Sequence, residues 1–426
     1  MMTAETTRRL LLQGALGGAS ALAMPAIRAS ASSRVIKLGF VSPQTGPIAA
    51  FAAADEFVLR GVRAALKDGV TVAGKTYAVE ILYRDSQSNT SRAADVAQQL
   101  ILKDKVDILM ASSSADTTNP VADQAEVNGT PCITTDTPWE PHFFGRKGDP
   151  AKGFDWTYHF FWDTGALVKS YVGMWNAIET NKVLGCVWAN DADGVAVGDP
   201  VHGVMPVFTK AGFKVIDTGL FTPGANDFSA QIAKLKAAGA DIVTGVITPP
   251  DFATFWGQCG QQGFRPKAVT VAKALLFPAA VDALGDRGAG LSTEVWWSPT
   301  HPFTSGLTGQ SARALCDAYT AETKREWTQP MGFKHAVLEV AVDVLKRTKD
   351  IDSPEAIRDA IVATNYKSIV GPVSWQNNSP FRNFSRTPLS GGQWVRGKAF
   401  KYDLVVANND VSPEIPLGKK FEPIAY

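Results

Sequence analysis

The chain has 426 residues, with 42 Lys+Arg against 41 Asp+Glu and a formal net charge of +1. So even a balance leaves no electrostatic footprint for nucleic acid or an anionic membrane surface, and neither is expected as a partner. The length exceeds what one hydrophobic core serves and suits two lobes.

The chain opens on a leader. Residues 6–31 read TTRRLLLQGALGGASALAMPAIRASA. Arg8 and Arg9 precede Leu10, Leu11 and Leu12, and the apolar run that follows is diluted by Gly14, Gly17 and Gly18. It ends at Ala29-Ser30-Ala31, whose small first and third side chains fit a signal peptidase cleft, so Ser32 is the expected mature start. The paired arginines resemble a bacterial twin-arginine signal peptide. The run is too short and glycine-rich for a transmembrane anchor, and no Cys stands at the cleavage point to carry lipid. The expectation is a protein released into the periplasm without direct membrane insertion.

From residue 34 strands and helices alternate. Val35–Phe40 reads as a strand, Phe51–Lys67 as a helix and Tyr77–Tyr83 as a strand with alternating Val79, Ile81 and Tyr83. Thr90 can cap a helix running to Leu102, and Val106–Ala111 and Pro131–Thr135 read as buried strands. This βαβαβ succession predicts a parallel sheet with helices on both faces. Gly145–Trp156 breaks the rhythm. It resumes with strands at Val183–Trp188, Lys214–Thr218 and Ile242–Ile247 and helices at Val201–Ala211, Phe228–Ala238 and Phe252–Gly263, Pro206 being placed to kink the first of these. Helices follow near Ala312–Trp327, Gly332–Lys349 and from Ser353, and the end from Gly371 is rich in strands and turns. The expected fold class is α/β, with two lobes joined by several crossings. The leader takes 1–31, the first lobe 32–161 with 298–375, and the second 162–297 with 376–426.

Cys132, Cys186, Cys259 and Cys316 form no C-x-x-C and lie in apolar segments, where each reads as a small buried hydrophobe. His142, His159, His202, His301 and His335 form no motif, and neither metal nor cofactor is expected.

Ligands of open α/β sheets bind beyond the carboxyl ends of the strands, which makes the junctions informative. After the first strand, Gln44 and Thr45 can offer hydrogen bonds in a turn set by Pro43 and Gly46. The third strand runs into Ser112, Ser113 and Ser114 ahead of a helix start, with Pro120 expected in its first turn. Hydroxyls beside free helix N–H groups suit a small anion such as a carboxylate. The fourth strand ends in Thr135, Asp136, Thr137 and Trp139, again rich in hydroxyls and with an acid and an indole.

These segments carry a resemblance. IKLGFVSPQTGP with RGVRAAL, Asp85 followed by SRAADVAQQLILKDKVDIL, and GFKVIDTGLFTPGANDFSAQIAKLKAAGADIV resemble the type I periplasmic solute-binding proteins, in the branched-chain amino acid (Leu/Ile/Val) binding family. The resemblance covers nearly the whole mature chain. It implies two doubly wound parallel-sheet lobes joined by three hinge crossings, a small-molecule ligand trapped between them, and delivery to the permease subunits of an ABC importer by a monomeric carrier. It further implies that Ser113, Ser114 and the Thr135–Thr137 segment hold an α-carboxylate and that Asp251 receives an α-ammonium group. The chain departs from the family at Asp193, which replaces an aromatic wall, at Asp136 and Trp139, and in the tryptophans Trp162, Trp296 and Trp297 at the expected hinges. The extra acids and indoles suit a cationic or amide ligand.

Two nucleotide-like strings mislead. Gly69–Thr76 matches G-x-x-x-x-G-K-[ST] but leads from a helix into a strand, the reverse of the phosphate-cradling order. Leu389–Gln393 spells LSGGQ, yet no apolar strand ending in Asp-Glu follows it. With no G-x-S-x-G or H-E-x-x-H in the mature chain, an enzyme is not expected. A ligand sensor that addresses a receptor is the alternative to a transport component, and a periplasmic enzyme a remoter one.

Overall fold

In the computed structural model, which describes residues 34–376 and 382–426, the strands divide between two seven-stranded sheets and a hairpin. The leader and its cleavage point lie outside the described residues. In chain order the strands are β1 (Val35–Ser42), β2 (Val70–Val72), β3 (Lys75–Asp85), β4 (Ile108–Ser112), β5 (Cys132–Thr135), β6 (Thr157–Phe161), β7 (Val183–Ala189) and β8 (Lys214–Phe221). They continue with β9 (Ile242–Ile247), β10 (Ala268–Lys273), β11 (Ser292–Val295), β12 (Asn365–Ser368), β13 (Gly371–Ser374), β14 (Phe384–Arg386), β15 (Ser390–Arg396) and β16 (Tyr402–Asn408).

The first sheet runs β14-β6-β5-β4-β1-β3-β2 and the second β16-β15-β11-β10-β9-β7-β8. In the first, β1 lies parallel to both β3 and β4, with Leu38 opposite Ile81 on one side and Ile108 on the other. In the second, β7 holds the same place between β8 and β9. Each is a switch point, where helices leave to opposite faces and a crevice opens at the carboxyl ends. The sequence explains which strands are central: Ile108–Ser112, Ile242–Ile247 and Ala268–Lys273 are buried at every position, as strands covered on both faces must be. The antiparallel pairings in these sheets are β2 with β3, β11 with β15 and β15 with β16.

The chain passes between the lobes after β6, after β11 and after β14. The third passage falls later than expected. β14 pairs with β6 in the first sheet, so residues 384–386, assigned to the second lobe from sequence, lie in the first. The passages are tied together: Asp163 caps the helix Thr164–Asn176 through Ala166 N at 2.7 Å and forms an ion pair with Arg386. Thr387 N donates to Phe161 O at 2.9 Å.

Other local differences have local causes. The helix expected over Val201–Ala211 spans only Met205–Lys210, because Pro206 lacks an N–H and is accommodated in a first turn. Pro120, by contrast, stands inside the helix Ala115–Asn128 rather than in its first turn. Cys132, Cys186, Cys259 and Cys316 are free and buried. The helix Gln329–Arg347 is buried along nearly its whole length and carries Lys334, His335 and Glu339 inward. Among the described residues no helix is long and apolar enough to cross a membrane.

Candidate functional site

The carboxyl ends of the two sheets face each other across a closed-down cavity of about 40 Å³. The first lobe contributes Phe51, Ser114, Asp136, Pro138 and Phe161, and the passages contribute Trp162 and Trp296. From the second lobe come Leu167, Asp193, Val197, Val246, Ala272, Lys273, Leu276 and Glu294. A mostly apolar lining with a few convergent polar groups is what small-molecule sites offer. The aromatic part is continuous: the Phe161 ring lies 4.9 Å from both Trp162 and Trp296, and Phe51 stacks on Trp296 at 6.3 Å.

Ser114 stands at the N-cap of the helix Ala115–Asn128 with extended backbone, yet its side chain makes no capping bond. Its buried hydroxyl has no partner among the described residues. Asp136 lies opposite on the loop after β5, with a left-handed φ of 67°. Its Oδ2 accepts from Ser112 Oγ at 2.6 Å and lies 3.6 Å from Lys334 Nζ, while its buried Oδ1 has no partner among the described residues. Burial raises the Asp136 carboxyl to about 6, although the Lys334 ammonium opposes the shift. Lys334 also donates to Ser112 O and to Ser42 Oγ, so it clamps the ends of β1 and β4 to the Asp136 loop.

The second lobe supplies a larger charge cluster. Lys273 ends β10 with φ 70°, and its Nζ lies 2.8 Å from Asp191 Oδ2, 2.9 Å from Asp193 Oδ2 and 3.9 Å from Asp116 Oδ2. Asp116 belongs to the first lobe, so the cluster spans the cleft. Each lobe also presents a carboxylate to a helix start of the other: Ala115 N donates to Asp193 Oδ1 at 3.3 Å, and Ala192 N to Asp116 Oδ1 at 3.2 Å. Helix N-termini carry partial positive charge and favour such contacts. Gly194 makes this geometry possible, because a Cβ there would meet Ala189 O at 2.1 Å and push the helix Ala192–Val197 off the end of β7.

Burial drives the Lys273 ammonium toward losing its proton, but Asp193, Asp191 and Asp116 outweigh it and lift its pKa above the ordinary lysine value. The Asp116 carboxyl is raised to about 6, by burial first and by neighbouring Asp193 second. Burial likewise raises Asp193. The Asp116, Asp191 and Asp193 oxygens lie within 4.8 Å of one another, a spacing able to hold a metal ion, but Lys273 already supplies positive charge there. Across the cavity, Glu294 accepts from Tyr171 OH and from Thr293 Oγ1, and burial raises its pKa.

Of the residues expected from sequence, the cavity gathers Ser114, Asp136, Asp193 and Trp296. The others serve the surrounding framework. Gln44 and Thr45 are exposed, and their backbone N–H groups donate to Asp85. Ser113 Oγ pairs with Thr117 Oγ1, Thr135 Oγ1 donates to Phe160 O, and Thr137 Oγ1 donates to Ser113 O. Trp139 packs with Phe143 and Phe384 in a separate cluster. Asp251 is the clearest departure. Its Oδ1 accepts from Gly224 N at 2.8 Å and its Oδ2 from Thr248 Oγ1 at 2.7 Å, so both oxygens fasten their own loops. Lys273 and Glu294 were missed. A charge closing the otherwise apolar strand AVTVAK was the available signal for Lys273.

Two doubly wound lobes enclosing a cavity at the carboxyl ends of both sheets define the two-lobed solute-binding architecture of type I periplasmic binding proteins. Residues 35–391 match the periplasmic binding protein family, and the chain belongs to that family. It is 24% identical over 272 residues to Leu/Ile/Val-binding protein homolog 3 of Brucella melitensis biotype 1, a match covering 63% of this chain and 65% of that one. It is 23% identical over 404 residues to Leu/Ile/Val-binding protein homolog 7 of Brucella abortus strain 2308, covering 89% and 94%. The fold is similar to that of LivJ, the branched-chain amino acid transporter substrate binding protein of Streptococcus pneumoniae, solved in complex with isoleucine. There the TM-score is 0.69 at 17% identity, over 88% of this chain and all of the other.

Proposed function

We propose that the protein is the exported substrate-binding component of an ABC transporter, capturing a small polar solute by lobe closure and delivering it to a permease in the inner membrane. Amino acids and related carboxylates or amides are the range that the family suggests. The observation that carries the reading is a cavity walled by both lobes, with polar groups of the first (Ser114, Asp136) facing polar groups of the second (Asp193, Lys273). A ligand held there touches both lobes only when they are closed, so its extra contacts stabilise the closed form. A dissociation constant near micromolar would correspond to about −8 kcal/mol. The leader supports release into the periplasm after cleavage near Ala31.

The test is thermal-shift screening of the purified protein against a metabolite extract and a solute panel, followed by small-angle scattering with each hit. The expected result is a solute that raises the melting temperature and contracts the particle. Hits that leave the scattering unchanged, or no hit at all, would overturn capture by closure. Uptake of the hit should fail in cells lacking the protein. Export of a variant with Arg8 and Arg9 replaced by Lys should fail if the twin-arginine route is used.

A further inference from the structure

We infer that the cleft is built for a small organic monocation, with an ammonium head on Asp136 and an apolar body against the wall of Phe161, Trp162 and Trp296. This rests on the reading of the cavity as the solute site and narrows the solute's charge.

Asp136 is the starting point. Its Oδ2 is occupied by Ser112 and Lys334, while Oδ1, buried in a residue that lines the cavity, has no partner among the described residues. A carboxylate oxygen removed from water and left unmatched is unfavourable, and a ligand N–H would satisfy it. The wider charge balance points the same way. Among the described residues, Asp116, Asp136, Asp191, Asp193 and Glu294 stand at the cavity and its rim, with Lys273 and Lys334 as the lysines paired to them. Burial leads the upward pKa shifts of Asp116, Asp136, Asp193 and Glu294, so their charged forms lack solvation that a cation in the cleft would replace. A cationic ligand relieves that shortage and an anionic one deepens it.

The positive charges that would welcome an anion are already engaged, which leaves it, among the described residues, the neutral donors Ser114 Oγ and Trp162 Nε1. Lys273 Nζ has Asp191 and Asp193 at 2.8 and 2.9 Å, and the helix starts at Ala115 and Ala192 each receive a carboxylate from the opposite lobe. A ligand carboxylate would have to displace one of these to meet a positive charge. The ring wall has the opposite preference, since aromatic faces attract ammonium groups, most strongly out of water. Trp162 adds a buried indole N–H without an acceptor among the described residues, which a neutral carbonyl or hydroxyl on the ligand can meet.

The test is calorimetric titration of the purified protein with matched sets on two skeletons. One set is isopentylamine, leucinamide, leucine and 4-methylpentanoate. The other is phenethylamine, phenylalaninamide, phenylalanine and 3-phenylpropanoate. On at least one skeleton the amine and the amino amide should bind at least tenfold more tightly than the carboxylate, with the zwitterion between. Asp136→Asn keeps the side-chain shape and should weaken the cations at least tenfold without weakening the carboxylate, thermal unfolding serving to check its fold. The wild-type ranking stands whether or not that variant folds. A carboxylate or zwitterion binding as tightly as the cations overturns the inference, as does the failure of both sets to bind. A carboxylate that binds and contracts the particle would overturn the charge assignment while leaving solute capture intact.

Discussion

Lys334 and Lys273 occupy comparable places at the carboxyl ends of the two lobes, yet they hold different things together. Lys334 is buried with Asp136, Ser112 and Ser42, all in the first lobe. Lys273 is buried with Asp191 and Asp193 of its own lobe and with Asp116 of the other. The first set of contacts persists however the lobes stand. The second is complete only when the cleft is shut. A buried ion pair inside a lobe serves folding, whereas the same chemistry across a cleft serves the balance between open and closed forms.

The largest expected effect comes from removing the inner lysine. Lys334→Met leaves Asp136 buried without its counter-charge and should lower stability by about 3–5 kcal/mol in urea unfolding. A loss below about 1 kcal/mol would mean that Asp136 is neutral in the native protein. Lys273→Met should lose less stability than Lys334→Met, because parting of the lobes lets water reach Asp116 and Asp193. Its radius of gyration without ligand should rise, which it should not in Lys334→Met.

The comparison also predicts a pH dependence of closure. Asp116 faces Asp193, Asp191, Lys273 and the Ala192 N–H, and its carboxyl is raised from 3.8 to about 6 by burial and by Asp193. In an open cleft it returns toward its ordinary value. The closed form therefore binds the proton more tightly, so closure weakens as pH rises through that interval and is insensitive to this group above it. Lys273 stays charged throughout. Scattering without ligand at stepped pH should show expansion across the interval, and Asp116→Asn should reduce it, Asp193, also raised by burial in the closed cleft, supplying what is left.

The smallest effect is expected at Ser114. N-cap hydroxyls usually contribute about 0.5–2 kcal/mol, but this one makes no capping bond. Ser114→Ala should change stability by less than about 0.5 kcal/mol while lowering ligand affinity. Ser353→Ala removes a hydroxyl that accepts from Ala356 N at 3.1 Å, and should lose about 1 kcal/mol with no change in affinity.

Legibility from sequence followed the range of the interactions involved. The helix ending at Leu102 is legible to within a residue because its start and its buried face are local: Asn89, not Thr90, caps it through Arg92 N, and Ala93, Val96, Ala97, Leu100 and Ile101 face inward. β6 and the helix Thr164–Asn176 are not legible in the same way, since the polar Gly145–Trp156 stretch masks where alternation resumes. In the site, Ser114 and Asp136 stand at strand ends, where α/β sheets place ligands, and could be named. Lys273 could not be linked to its partners, which lie 80 and 82 residues away on another strand's loop. Asp251 is the converse case. A strand-end position does not reveal whether a carboxylate faces the cleft or turns back, and here Gly224 and Thr248 claim it.

Both charged residues that close the cavity from opposite sides, Asp136 and Lys273, have positive φ, at 67° and 70°. That conformation is tolerated by Gly, Asn and Asp and strained for most others, β-branched residues above all. The alphabet available at these two positions is therefore short. An engineer re-targeting this pocket, or a lineage drifting toward another nutrient, can vary the ring wall and aliphatic lining with few backbone constraints. At 136 the unstrained steps are to Asn or Gly, each of which discards the carboxylate's charge, so selectivity for charge should prove harder to retune than selectivity for shape.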